Sequence, residues 1–195
     1  MKKTCAAFVF DGFADCELAL VMAALNQRGD FVLETFSPRG RMVTARSGLS
    51  VMPHANLSSM RPEDFDLLLL PGGDQWEKGD NFEVFSLIKA TFDQRLIVAV
   101  GSAILALADL GRLDEIPHTG PGPGYFRQYC PEYAGEAFFR REAWVDAGGV
   151  VTVDSETLTH HGADVLADPA PDMLGVFDTL QEIYLSDHEL HDPTC

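Results

Sequence analysis

Three short stretches carry residues whose types and positions could do chemistry. In DGFADCELA, Glu17 follows Asp11-Gly12 at the start of an apolar helical pattern. At a helix start its carboxylate complements the macrodipole. Pointed into a crevice, it can bond a neighbour or accept a proton. In LLLLPGGDQW, the pair Gly72-Gly73 reads either as a tight strand exit or as backbone N–H groups offered to an oxyanion or bound anion. In LIVAVGSAILALADLG, a β-branched run stops at Gly101-Ser102 and a helix-period pattern begins at once. Such a strand–turn–helix junction holds the nucleophile in many α/β enzymes. Glycine supplies none. Ser102 could serve only if the elbow shifted by one residue and a base, with His118 the nearby choice, activated it. The G-x-S-x-G form is absent. Ser102 as N-cap of the following helix is the simpler reading.

The other reactive side chains read more blandly. His118-Thr119 sits in a loop after Gly111, where a lone histidine is more often a surface residue than a base. Cys16 lies beside Glu17, but Asp15 and Glu17 disfavour its thiolate, so a buried, inert cysteine is expected. His160-His161 read as polar cap residues. His188 and His191 in HELH have a metal-binding spacing, but they stand on an acidic tail with no third ligand nearby. No metal and no cofactor is therefore expected.

The elements that must position these residues follow from alternating patterns. CAAFVF (5–10) reads as a buried strand, and ELALVMAALNQRG (17–29) as a helix stopped by Gly29. FVLETFS (31–37) is a strand, and 42–55 a hairpin turning at Ser47-Gly48. DFDLLLLPGG is a continuous apolar strand, NFEVFSLIKATFDQR a helix, LIVAVG a strand and SAILALADLG a helix. Strands that are apolar throughout, each followed by a helix, imply a mostly parallel sheet covered on both faces. Ligand sites in such sheets lie at the carboxyl ends of the strands. The loops there are DGFADCE, PGGDQW and VGSA. Beyond Gly111, 117–133 reads as a long Gly/Pro-rich loop with aromatics. EAFFRREAWVDAGGVVTVDS is a hairpin turning near 146–149, and PDMLGVFDTLQEIYL a last helix. One domain is expected over 1–186, with a polar tail at 187–195.

Composition narrows the function class. The chain has 195 residues with 14 Lys+Arg against 30 Asp+Glu, a formal net charge of -16. A surface this acidic repels phosphate backbones and anionic headgroups, so neither nucleic-acid nor membrane binding is expected. The apolar run after MKKT ends at Asp11, too soon for a secretory signal. The four scattered cysteines suit a reducing cytoplasm.

FVFDGFADCELA, EDFDLLLLPGGDQW, IVAVGSAILALADLGRL and PHTG together resemble the ThiJ/PfpI superfamily, related to class I glutamine amidotransferases. The resemblance runs from about Ala6 to Leu185, and DGFADCE, ALNQRG and PHTG are similar to one bacterial, amidotransferase-like or intracellular-protease-like branch. It implies a flavodoxin-like three-layer sandwich and a homodimer. It also implies a site in which an elbow cysteine stands beside a glutamate, matched by Glu17, and the Pro-Gly-Gly amides, matched by Gly72 and Gly73. The family's histidine-bearing loop corresponds to His118-Thr119-Gly120-Pro121, where proline replaces the usual asparagine. Counting back from Gly111 places the family's cysteine at Gly101. The leading expectation is a protein without that nucleophile, binding a small, anionic metabolite among Glu17, Gly72, Gly73, Gly101, Ser102, His118 and Thr119. One alternative is a cysteine-independent hydrolase, hydratase or isomerase acting on a small carbonyl or amide compound with Glu17 as general base. Another is a dimeric stress or interaction protein.

Overall fold

A computed structural model of the chain describes residues 2–156. The expected helix over 171–185, His160-His161, the HELH pair, Cys195 and the 186/187 boundary lie outside those residues.

The first strand, β1 (Lys3–Phe8), enters the core, and its last four residues are buried. Helix α1 (Asp15–Arg28) follows and ends at Gly29, whose left-handed backbone closes the C-terminus as the sequence suggests. Next come β2 (Phe31–Ser37), the short strands β3 (Val43–Thr44) and β4 (Ser50–Val51), and β5 (Ala55–Asn56). β3 and β4 pair antiparallel, Thr44 opposite Ser50, so the hairpin turns where expected. The four leucines of β6 (Leu67–Leu70) and all five residues of β7 (Leu96–Val100) are buried, as strands covered on both faces require. Between them lie α2 (Asp74–Lys78) and α3 (Phe85–Thr91). After β7 come α4 (Ile104–Asp109), α5 (Pro123–Tyr129), β8 (Trp144–Asp146) and β9 (Val150–Val153).

The seven-stranded sheet has the order β5-β2-β1-β6-β7-β9-β8. Every neighbouring pair is parallel except β8 with β9. This is a flavodoxin-like α/β fold with a mostly parallel central sheet. The chain leaves β1 toward β2 on one side and reaches β6 on the other. The strand order therefore reverses between β1 and β6, where crevices form in such sheets. Among the described residues, no helix is long and apolar enough to cross a membrane.

One expectation needs correction. The segment 117–133 is not all loop: Pro123–Tyr129 forms α5, started by Pro at its first position and anchored by buried Phe126. Frequent Gly and Pro mask that single apolar anchor. The hairpin arm VVTV forms as expected, pairing antiparallel with β8, and β9 also runs parallel beside β7, with Val100 opposite Val153, so the turn after it joins the functional edge.

Candidate functional site

The carboxyl ends of four adjacent strands, β1, β6, β7 and β9, bring one residue group together. α1 is aimed by its approach: the Ala14 N–H donates to the Gly72 carbonyl at 2.8 Å, and Phe13 bridges Gly73. Leu18, Val21 and Leu25 are buried and hold the inner face of α1 against the sheet. Glu17 lies on that face and is only 6% exposed. Its Oε2 accepts from the Gly72 N–H at 2.7 Å.

Burial pushes the Glu17 carboxyl above the ordinary carboxylate range. The Gly72 N–H and the charge of Arg46 pull the other way, and the charge of Asp154 adds to the rise. Glu17 is therefore a carboxyl poised to hold a proton at a pH where surface glutamates have lost theirs, as acid–base work demands. Arg46 itself pairs with Asp74 at the start of α2, both largely exposed.

Gly72 has no room for a side chain. A Cβ there would stand 2.7 Å from Glu17 Oε2 and 3.2 Å from Ser102 Oγ. Glycine at this position is what lets the carboxylate reach the backbone. The Gly73 N–H donates to Ser102 Oγ at 2.9 Å, and the same hydroxyl donates to the Gly73 carbonyl at 3.1 Å. These bonds correct two expectations. Ser102 does not cap the helix that follows; it ties the β7 elbow to the β6 turn. The Gly72 and Gly73 amides, expected to face a bound anion, are already engaged by Glu17 and Ser102.

Gly101 forms the apex of the elbow with φ +56, a left-handed conformation that favours glycine. A Cβ there would lie 2.9 Å from Ser155 Cβ, 3.0 Å from Ser155 Oγ and 3.2 Å from Glu17 Oε1. The space over Gly101 is thus shared by a carboxylate from α1 and a hydroxyl from the turn after β9. Ser155 is the member of the group that reading the sequence missed. The available signal was the Asp-Ser pair at the end of an apolar strand, and it needed the β7–β9 pairing to give it meaning.

The structure does not bring His118 or Thr119 into this group. His118 is fully buried, with Nδ1 2.8 Å from the Ile116 carbonyl and Nε2 2.7 Å from the Tyr133 hydroxyl. Phe126, Tyr133 and Phe139 surround its ring, and burial lowers its pKa. Thr119 is also buried; its N–H donates to Thr152 Oγ1 and its hydroxyl to the Glu142 carbonyl. Thr119 ties this segment to β9, while His118 ties it to Tyr133 and Phe139. Cys16 is corrected as well: it is exposed, because one residue along a helix turns the side chain by about 100° from Glu17. Cys5 and Cys130 are buried, and burial pushes both thiols up to about 12. Among the described residues no cluster of three or more His, Cys, Asp or Glu could hold a metal ion.

Tyr125, on α5, donates its hydroxyl proton to Glu77 Oε1 at 2.7 Å. Burial and the Glu77 carboxylate keep this phenol protonated well above its usual range.

Residues 3–167 match the DJ-1/PfpI family. The chain is 30% identical over 189 residues to the "Uncharacterized protease YoaZ" of Bacillus subtilis, covering 91% of this chain and 87% of that one. Among solved structures it resembles the DJ-1 superfamily protein Atu0886 from Agrobacterium tumefaciens, at 30% identity and TM-score 0.74, covering 96% of this chain and all of that one. It also resembles the thiJ/pfpI family protein from Bacillus anthracis, at 26% identity and TM-score 0.73, covering 87% and 84% of the two chains.

Proposed function

The chain belongs to the DJ-1/PfpI family, and on that premise we propose that it is a member without the elbow thiol, binding a small metabolite in the crevice over Gly101. The observation that carries this reading is the apex itself. Gly101 has no functional side chain, yet its space is lined by a buried carboxylate at 3.2 Å and a hydroxyl at 3.0 Å from where a Cβ would stand. The protease name belongs to the Bacillus subtilis relative. Thiol-dependent proteolysis needs a nucleophile that position 101 lacks, so that activity is not carried over. Because the Gly72 and Gly73 amides are engaged, the ligand is recognised through Glu17 and the hydroxyls rather than through free backbone donors.

The raised Glu17 carboxyl favours a second reading within the same crevice. Here Glu17 is the acid–base group for hydration, isomerisation or hydrolysis of a small carbonyl or amide compound. The two readings separate in one experiment. Small aldehydes, amides and esters are titrated into labelled protein while the Gly72, Gly73, Gly101 and Ser102 amide resonances are followed, and each binder is assayed for turnover. Binding without turnover supports the first reading. Turnover abolished by Glu17→Gln supports the second. A panel that moves none of these resonances overturns both. We further propose, in keeping with the net charge of -16, a cytoplasmic homodimer that contacts neither nucleic acid nor membrane.

A further inference from the structure

We propose that Arg46, clamped at the rim of the crevice by the β3–β4 hairpin, is the specificity-determining residue of the site and selects a small carbonyl compound bearing a carboxylate. The inference rests on the small-ligand reading of the crevice and adds to it the class of ligand.

Hydrogen bonds fix where Arg46 stands. The Gly12 N–H donates to the Thr44 carbonyl at 2.7 Å, and the Thr44 N–H donates to Asp11 Oδ1 at 2.8 Å. The Arg46 N–H donates to the Phe13 carbonyl at 2.9 Å, and the Ser47 hydroxyl donates to Asp15 at the start of α1. The hairpin turn is thus stitched along the segment that leads into α1. Phe13 is in turn bridged to Gly73, and the Arg46 guanidinium pairs with Asp74, the next residue. Arg46 therefore spans the approach to Glu17 and the turn after β6, the two elements that carry the carboxyl and the glycine pair of the crevice. Its charge reaches the Glu17 carboxyl.

The charge pattern around Arg46 favours an anion. The chain has a net charge of -16, yet residues 35–62 contain Arg39, Arg41, Arg46 and Arg61 and no Asp or Glu. All four arginines are exposed. On an otherwise acidic molecule this is where an anion is drawn in, and Arg46 brings that charge to the crevice. Its partner is replaceable. Asp74 is held through Nη2 alone, and the two side chains are 58% and 59% exposed. Exposed pairs of this kind contribute little. A ligand carboxylate can take the two-contact fork that a guanidinium favours. It also offsets the pull of Arg46 on Glu17, so the Glu17 carboxyl keeps its proton more firmly and can donate it to the carbonyl of the ligand. A neutral carbonyl compound brings neither effect.

The test uses the labelled full chain and two acids, pyruvate and acetoacetate, each beside its neutral amide. Affinity is read from the Gly101 and Ser102 amide resonances in wild type, Arg46→Gln and Asp74→Asn. The expected result is that at least one acid binds more tightly than its amide. Arg46→Gln weakens that acid by roughly ten- to a hundredfold and changes its amide by less than about twofold. Asp74→Asn removes the competing carboxylate and tightens the same acid by roughly two- to fivefold. A merely distorted rim weakens acid and amide together, so the split between them reports recognition. Amides that bind as well as both acids, equal losses of acid and amide in Arg46→Gln, or an acid that Asp74→Asn fails to tighten overturns the proposal. If neutral carbonyl compounds bind through Glu17 while Arg46→Gln leaves every affinity unchanged, this inference fails and the function proposed above stands.

Discussion

Installing a thiol at the elbow apex is the sharpest structural perturbation available, and Gly101→Cys alone should damage the protein. Two costs add. The apex has φ +56, and an L side chain in the left-handed region costs about 1–2 kcal/mol. The new Cβ would also stand 2.9 Å from Ser155 Cβ, an overlap that forces one chain segment to move. Overpacking of that kind costs about 1–3 kcal/mol. Together they predict a loss of about 2–5 kcal/mol. With an m-value of about 2 kcal/mol/M, the urea midpoint falls by roughly 1–2.5 M. The second cost depends on Ser155 and the first does not. In Gly101→Cys/Ser155→Gly the overlap disappears, so the double variant recovers about 1–3 kcal/mol relative to the sum of the singles. Ser155→Ala in the same background does not recover it, because the colliding atom is the Cβ. Urea unfolding under reducing conditions on all variants measures the cycle. Additivity within about 0.5 kcal/mol, or a Gly101→Cys single as stable as wild type, refutes the placement of Ser155 over the elbow.

Three further outcomes follow from the site and its supports. Glu17 has a folded-state pKa above its unfolded value of about 4.3, so its contribution favours folding below that pH and is lost as pH rises through the folded value. Glu17→Gln therefore melts higher than wild type at pH 7, and the gap closes toward pH 4; a lower melting temperature at pH 7 contradicts the shift. His118 has the opposite sign: its folded pKa lies below the unfolded value of about 6.5, so its contribution is present above that value and falls away as pH drops through the folded one. Unfolding free energy should decline more between pH 7 and pH 5 in wild type than in His118→Gln, and parallel declines would count against a buried neutral imidazole. Ser102→Ala strips the Gly73 N–H and carbonyl of their shared partner. Chemical denaturation should show a loss of about 1–3 kcal/mol.

The fold was legible where pattern and stop signals agreed. The apolar runs Leu67–Leu70 and Leu96–Val100 required burial on both faces, and Gly29 marked the end of α1. Glu17 and the Gly72 turn were legible because they sit next to strand ends, where local order predicts position. The partners that complete the site were not. Which hydroxyl faces Gly101 depends on β9 lying parallel to β7, a contact between residues some fifty positions apart that no local pattern encodes. His118 shows the converse failure. Its polar type suggested a loop base, but Phe126, Tyr133 and Phe139 close around its ring, and the Ile116 carbonyl and the Tyr133 hydroxyl satisfy its two nitrogens. Ser102 looked like a cap because it follows a strand and precedes a helix. The competing partner was the Gly73 backbone, brought alongside by the pairing of β6 with β7.

Native mass spectrometry of the protein purified without denaturation, beside its Glu17→Gln variant, tests the central claim most directly. A small molecule retained by wild type and absent from Glu17→Gln is the predicted result. The bare chain mass in both proteins, or a bound molecule that survives the Glu17→Gln change, contradicts a ligand site organised by Glu17 over Gly101.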